Sequence, residues 1–119
     1  FKGYSLDEKR RPKFSYQVSN VAVEDYFVDV LDSSKRPFLR RILTMKSDSP
    51  TPRRLLMRAA NGKTIFQEAD DTFVIDKALR IKVVGKYEAR IVKRAAGNEL
   101  RIPLRIGGEA STLVLEYVW

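Results

Sequence analysis

Apolar and polar residues alternate through residues 14–31, and the phase of the alternation flips twice. Phe14, Tyr16 and Val18 share one parity, Val21 and Val23 take the other, and Tyr26, Val28 and Val30 return to the first. Alternation with period two marks a half-buried strand, because successive side chains leave opposite faces of a sheet. A phase flip requires a turn or a bulge, since a slip of one residue inverts both faces. Ser19-Asn20 supplies a two-residue turn in which Asn accepts positive φ. Glu24-Asp25 reads as a bulge. The segment is therefore expected to form a hairpin with a long, bent second arm.

The same pattern continues on both sides. Residues 1–6 form a short strand and residues 7–13 a charged turn closed by Pro12. Residues 32–37 are a loop. Residues 38–46 are a strand with Leu39, Arg41, Leu43 and Met45 on one side and Phe38, Arg40, Ile42 and Thr44 on the other. Residues 47–54, with two prolines, are the clearest loop. Residues 55–60 fit two forms. Thr51 as cap, Pro52 in the first turn and Gly62 beyond the end frame a helix, whereas Asn61-Gly62 is a hairpin signal; the β neighbours favour strand. Further strands are expected at 64–68, 72–76, 79–84, 87–93, 99–106 and 113–119. Between them lie turns at Asp70-Asp71, Gly85-Lys86, Gly97-Asn98 and Gly107-Gly108. Pro103 has no N–H for a ladder, so its strand is an edge or has a free side there.

About ten or eleven short strands, with turn signals about every 8–12 residues, specify an all-β domain. The preferred architecture is an antiparallel two-sheet β-sandwich, with a β-barrel as the alternative. No strand–helix–strand unit appears. The expected core comprises Phe14, Tyr16, Val18, Val28, Ile42, Ile81, Val83, Ile91, Ile102, Leu104, Leu113 and Leu115.

The 119 residues suit a single domain spanning 1–119. Because Phe1 is not Met, an excised domain or a processed part of a larger chain is expected. No apolar run approaches the ~18 residues of a membrane helix, and no signal-peptide pattern is present. The absence of cysteine removes disulfides, thiol catalysis and thiolate metal sites. The absence of histidine removes the commonest general base and metal ligand. Carboxylate pairs stand at Asp7-Glu8, Glu24-Asp25 and Asp70-Asp71, but neighbours on a strand point to opposite faces. No catalytic role and no cofactor is expected. Asp70, Asp71 and Asp76 lack the spacing of a calcium loop.

The net charge is +8, unevenly spread. Residues 33–63 hold nine basic groups and one acid, 64–76 four acids and no base, and 77–105 nine basic groups and two acids. If residues 79–84, 87–93 and 99–106 form a meander, Arg80, Lys82, Arg90, Arg101 and Arg105 share its outer face. Arg53, Arg54 and Arg58 form a second cluster beside the proline loop. Both are candidate anion- or partner-docking residues, weighed against a solvated face whose long side chains cover the sheet. Aromatic residues fall mostly with the apolar set, which argues for core rather than for stacked bases. A nucleic-acid-binding barrel using the basic face is a rival reading. A carbohydrate-binding sandwich using Tyr4, Tyr87 and Trp119 is another.

The stretch FKGYSLDEKRRPKFSYQV with VED at 23–25, LRRILT at 39–44, RAANGKTI at 58–65 and the closing EYVW carry a family resemblance over most of the chain. The chain resembles a β-domain of large multidomain exported bacterial c-type cytochromes or membrane-associated dehydrogenase-like proteins. Such proteins attach haem through Cys-x-x-Cys-His in another domain, and this chain has no such motif. The resemblance implies a non-catalytic accessory module of an exported, periplasmic redox protein. It would dock neighbouring domains of the same protein or an acidic protein or polymer surface, without entering the membrane.

Overall fold

The computed structural model describes residues 3–6, 12–18, 20–49 and 51–119. They form eleven strands: β1 Gly3–Leu6, β2 Pro12–Val18, β3 Val21–Leu31, β4 Pro37–Ser47, β5 Arg53–Gly62, β6 Ile65–Ala69, β7 Thr72–Ile75, β8 Leu79–Val84, β9 Arg90–Arg94, β10 Gly97–Ile106 and β11 Ser111–Val118. No helix among the described residues is long and apolar enough to cross a membrane. The segment 55–60 lies in a strand, as its neighbours suggested. The charged turn at 7–11 lies outside the described residues.

Two antiparallel sheets face each other. The large sheet has the order β1-β2-β3-β4-β11-β8-β7-β6 and the small one β5-β10-β9. Neither closes on itself, so the fold is a sandwich and not a barrel. The chain enters the large sheet as a four-strand meander and crosses to the small sheet as β5. It returns as the β6-β7-β8 meander, crosses again for β9 and β10, and ends in β11. That last strand fills the slot between β4 and β8, pairing Leu113 with Leu43 on one side and Leu115 with Val83 on the other.

Local chemistry explains the turns. Asn20 takes φ 67°, the left-handed region that Asn tolerates, between β2 and β3. Asp32 closes the β3–β4 hairpin, its Oδ1 accepting the N–H groups of Ser34 at 2.8 Å and Arg36 at 2.9 Å. The Asn61-Gly62 hairpin does not form. Both residues pair with β10, and the chain then leaves for the other sheet. Gly62 is needed at this crossing, because a Cβ there would lie 2.9 Å from Ile75 Cγ2 and 2.8 Å from Asp76 Oδ2. At Pro103 the β9 ladder has already ended at Arg101, which leaves the free side that proline requires.

Two expectations are corrected. The bulge at Glu24-Asp25 is absent: β3 pairs with β2 and β4 without a register shift. Val21, Val23 and Asp25 therefore all point inwards, and the apparent phase flip arises because a carboxylate occupies an inward position. In consequence Val28 and Ile42, expected in the core, lie half-buried on the outer face. Val18 is exposed at the end of β2, while Phe14, Tyr16 and Ile91 are half-buried. Ile81, Val83, Ile102, Leu104, Leu113 and Leu115 are buried as expected, together with Val21, Val23, Leu43, Met45, Phe73 and Leu100. The second correction concerns the meander of 79–84, 87–93 and 99–106. β8 belongs to the large sheet and β9 and β10 to the small one, so that meander does not exist.

Ile102 and Leu115, both 0% exposed, meet from opposite sheets in one core. Truncating either to Ala should cost about 2–5 kcal/mol in denaturant unfolding. Val28→Ala, on the outer face, should cost less than either. Equal losses at all three would place Val28 in the core.

Candidate docking face

The outer face of the small sheet collects arginines from three strands. On β5 the outward residues are Arg54, Leu56 and Arg58; on β10 they are Glu99, Arg101, Pro103 and Arg105; on β9 they are Arg90, Val92 and Arg94. The register sets Arg105 opposite Arg54, and Arg101 between Arg58 and Arg90. Like charges placed directly opposite repel, and three such pairs stand on this face. Glu99 is the only outward acid on these strands. Its Oε1 accepts hydrogen bonds from Arg101 Nε at 2.8 Å and Nη2 at 2.6 Å. Arg58 reaches Oε2 at 3.2 Å and Arg94 reaches Oε1 at 3.8 Å. The hydrogen bonds from Arg101 hold the Glu99 carboxyl below the usual glutamate value, against the opposing effect of burial and with the help of the Arg58 and Arg94 charges. A shallow depression of about 260 Å³ lies over this group, lined by Leu56, Arg58, Arg94, Glu99 and Arg101. Arg54 and Arg105 have no carboxylate partner among the described residues, and exposed Arg90 lies 3.6 Å from exposed Glu88.

The two clusters read from the sequence are thus one, because β5 pairs with β10. Arg54, Arg58, Arg90, Arg101 and Arg105 come together. Arg94 joins them and was visible in the sequence as the next residue of the Arg90, Val92, Arg94 parity. Arg53 is exposed at the start of β5, opposite inward-facing Ile106, and stands off the face. Arg80 and Lys82 lie on the outer face of the large sheet. There Arg80 makes a two-pronged pair with Glu68 at 2.9 and 3.2 Å, Arg40 pairs with Glu116 at 2.9 Å and Lys13 with Glu24 at 3.2 Å. The large sheet neutralises most of its outward cations; the small sheet does not.

A second polar group lies inside the sandwich and was missed as a unit. Asp25, 4% exposed, accepts from Arg41 Nε at 2.8 Å on Oδ1 and from Nη2 at 2.6 Å on Oδ2. The Tyr16 hydroxyl donates to Oδ2 at 3.2 Å, and Arg41 Nη1 donates to the Tyr117 oxygen at 3.4 Å. The Arg41 guanidinium also lies 5.3 Å from the centre of the Phe27 ring. Burial, and then the Asp25 charge, raise the Tyr16 phenol above its usual 10.0, so it stays a donor. Burial alone would lower the Arg41 pKa; hydrogen bonds with Asp25 and Tyr117 outweigh it and raise the value. The signal was available in the sequence: opposite charges at inward positions on two strands of one hairpin.

Other candidates are dispersed. Asp76 accepts the Thr64 N–H at 2.9 Å and Asp71 the Thr72 hydroxyl at 2.9 Å. No group of three or more metal-ligating side chains occurs among the described residues. The Tyr87 hydroxyl donates to the carbonyl of Thr112, near the start of β11, at 2.8 Å, while exposed Trp119 follows the end of that strand, about 24 Å away at strand rise. They do not form one platform. Comparison with protein-family models, curated proteins and solved structures gives no match.

Two outcomes test this electrostatic picture. Asp25→Ala strands a buried guanidinium and should cost about 3–5 kcal/mol. Adding Arg41→Met should recover part of that loss, as a double-mutant cycle would measure. Glu99 has a lowered folded pKa, so its contribution to stability is present above the unfolded value of 4.5 and is lost as pH falls through the lowered one. A carboxyl-resolved NMR titration should place Glu99 below 4.5 and show it rising in Arg101→Ala.

Proposed function

We propose that this domain is a non-catalytic docking module that turns the outer face of its small sheet towards an acidic protein or polymer surface. The observation that supports this reading is the imbalance on that face: Arg54, Arg58, Arg90, Arg94, Arg101 and Arg105 share it with Glu99 as its one outward carboxylate, which only Arg58, Arg94 and Arg101 reach. Guanidinium groups bind carboxylates through paired donors and lose less hydration than ammonium groups. Mutual repulsion disfavours the free arrangement, and an acidic partner relieves it. No aromatic side chain stands among the outward residues of these strands, so stacked bases have no platform. A protein surface or an acidic polymer fits better than a nucleic acid. We further propose, from the resemblance of the segments at 1–18, 23–25, 39–44, 58–65 and 116–119, that the module serves an exported, periplasmic redox protein whose haem belongs to another domain.

The test is fluorescence anisotropy with labelled poly-L-glutamate and labelled oligonucleotides at two salt concentrations. Poly-L-glutamate should bind the native chain and lose affinity in Arg54→Glu with Arg105→Glu. The double change Arg80→Glu with Lys82→Glu should have a smaller effect. DNA should bind no more tightly than the non-specific range of roughly 10⁻⁴–10⁻⁶ M. Tighter DNA binding, lost in Arg101→Glu with Arg105→Glu, would overturn the reading in favour of a nucleic-acid module.

A further inference from the structure

The four sheet edges differ. β1 has four residues, β6 and β9 five each, and β6 is further broken by a bulge between Gln67 and Ala69. Short and bulged edges resist pairing with other chains. β5 is different: it has ten residues, and among the described residues only β10 pairs with it. Its own bulge comes late, where Ala59 is skipped between the pairs Ala60–Leu100 and Arg58–Arg101. Residues 53–58 therefore offer a regular edge of about 20 Å. No proline interrupts it, and the inward residues between its arginines are Leu55 and Met57.

Beside this edge the large sheet extends beyond the small one. The space between them is a groove of about 250 Å³, whose wall is Leu55, Leu56, Met57 and Arg58 and whose floor includes Tyr16, Val23, Leu43 and Met45. Leu56 is 58% exposed on the outward side. Arg41 and Arg58 are the charged residues lining the groove, and no carboxylate lines it. Arg54 stands next along the outward side without a carboxylate partner among the described residues.

We propose that the β5 edge, residues 53–58, accepts an extended acidic–apolar peptide as a fourth strand of the small sheet. Backbone N–H and C=O groups along the free side of β5 supply the ladder. Alternate apolar side chains of the peptide enter the groove over Leu55 and Met57. The acidic residues between them lie on the outward side beside Arg54 and Arg58. The inference rests on the reading of this sheet as an acid-docking surface and adds its mode and its ligand pattern.

Three labelled peptides of one composition separate the possibilities. One alternates Glu and Val over eight residues, one carries the same residues in two blocks, and one is the alternating peptide with alternate backbone nitrogens methylated. The alternating peptide should bind at least about tenfold more tightly than the other two, and hydrogen exchange at residues 53–58 should slow on binding. Arg54→Glu should weaken it without lowering the unfolding midpoint, since a Glu opposite Arg105 removes a like-charge pair. Equal binding of all three peptides would overturn strand addition while leaving the acid-docking surface intact. Failure of all three together with poly-L-glutamate would overturn both. Pairing of two copies through residues 53–58, seen as a dimer by sedimentation with the same exchange protection, would also overturn the peptide assignment.

Discussion

The inward-facing charges of Asp25 and Arg41 constrain the large sheet more than any apolar contact does. A carboxylate or a guanidinium withdrawn from water costs several kcal/mol unless it is paired and its remaining donors and acceptors are met. Asp25 stands opposite Leu43 in the β3–β4 register, which puts Arg41 on the diagonal, within reach of both carboxylate oxygens. A slip of one residue in that hairpin would send one charge outwards and leave the other buried alone. Tyr16 from β2 and Tyr117 from β11 complete the group, so four adjacent strands are held in one alignment. Apolar contacts are less selective, because a Leu accepts several neighbours and a bidentate ion pair accepts few.

Strand positions and inward parity were legible wherever the alternation was pure. Leu100, Ile102, Leu104 and Ile106 announce a buried face without ambiguity, and so do Ile81 and Val83. The reading failed where an inward position holds a charge. Asp25 breaks the run after Val21 and Val23, and a rule that treats charge as outward must invent a bulge there. Val28 and Ile42 were then assigned to the wrong face by the same error. The arginine face was legible residue by residue but not as an assembly. Alternation reports which side of a strand a residue occupies, whereas strand neighbours depend on non-local pairing. Nothing between residues 84 and 90 says that the chain changes sheets, and nothing local says that β5 and β10 meet.

The interior network belongs to the large sheet, and the unbalanced arginines lie on the outer face of the small one. Tyr16, Asp25, Arg41 and Tyr117 form the buried group, and Arg40 and Glu116 form the neighbouring pair. These residues align strands. The small sheet contributes less to alignment and carries the unbalanced charge. Three cross-strand arginine pairs oppose folding by mutual repulsion, and only Glu99 offsets them within the face.

The insertion of β11 between β4 and β8 also fixes an order of events. Arg40 and Glu116, paired across that boundary, are 76 residues apart in sequence. Such contacts close late, because the entropy of a long loop must be overcome before the ladder forms. On a ribosome the β1–β4 and β6–β8 meanders emerge first, each with an apolar strand edge that has no neighbour. They become one sheet only when residues 111–118 have left the exit tunnel, so the large sheet closes after both meanders have emerged.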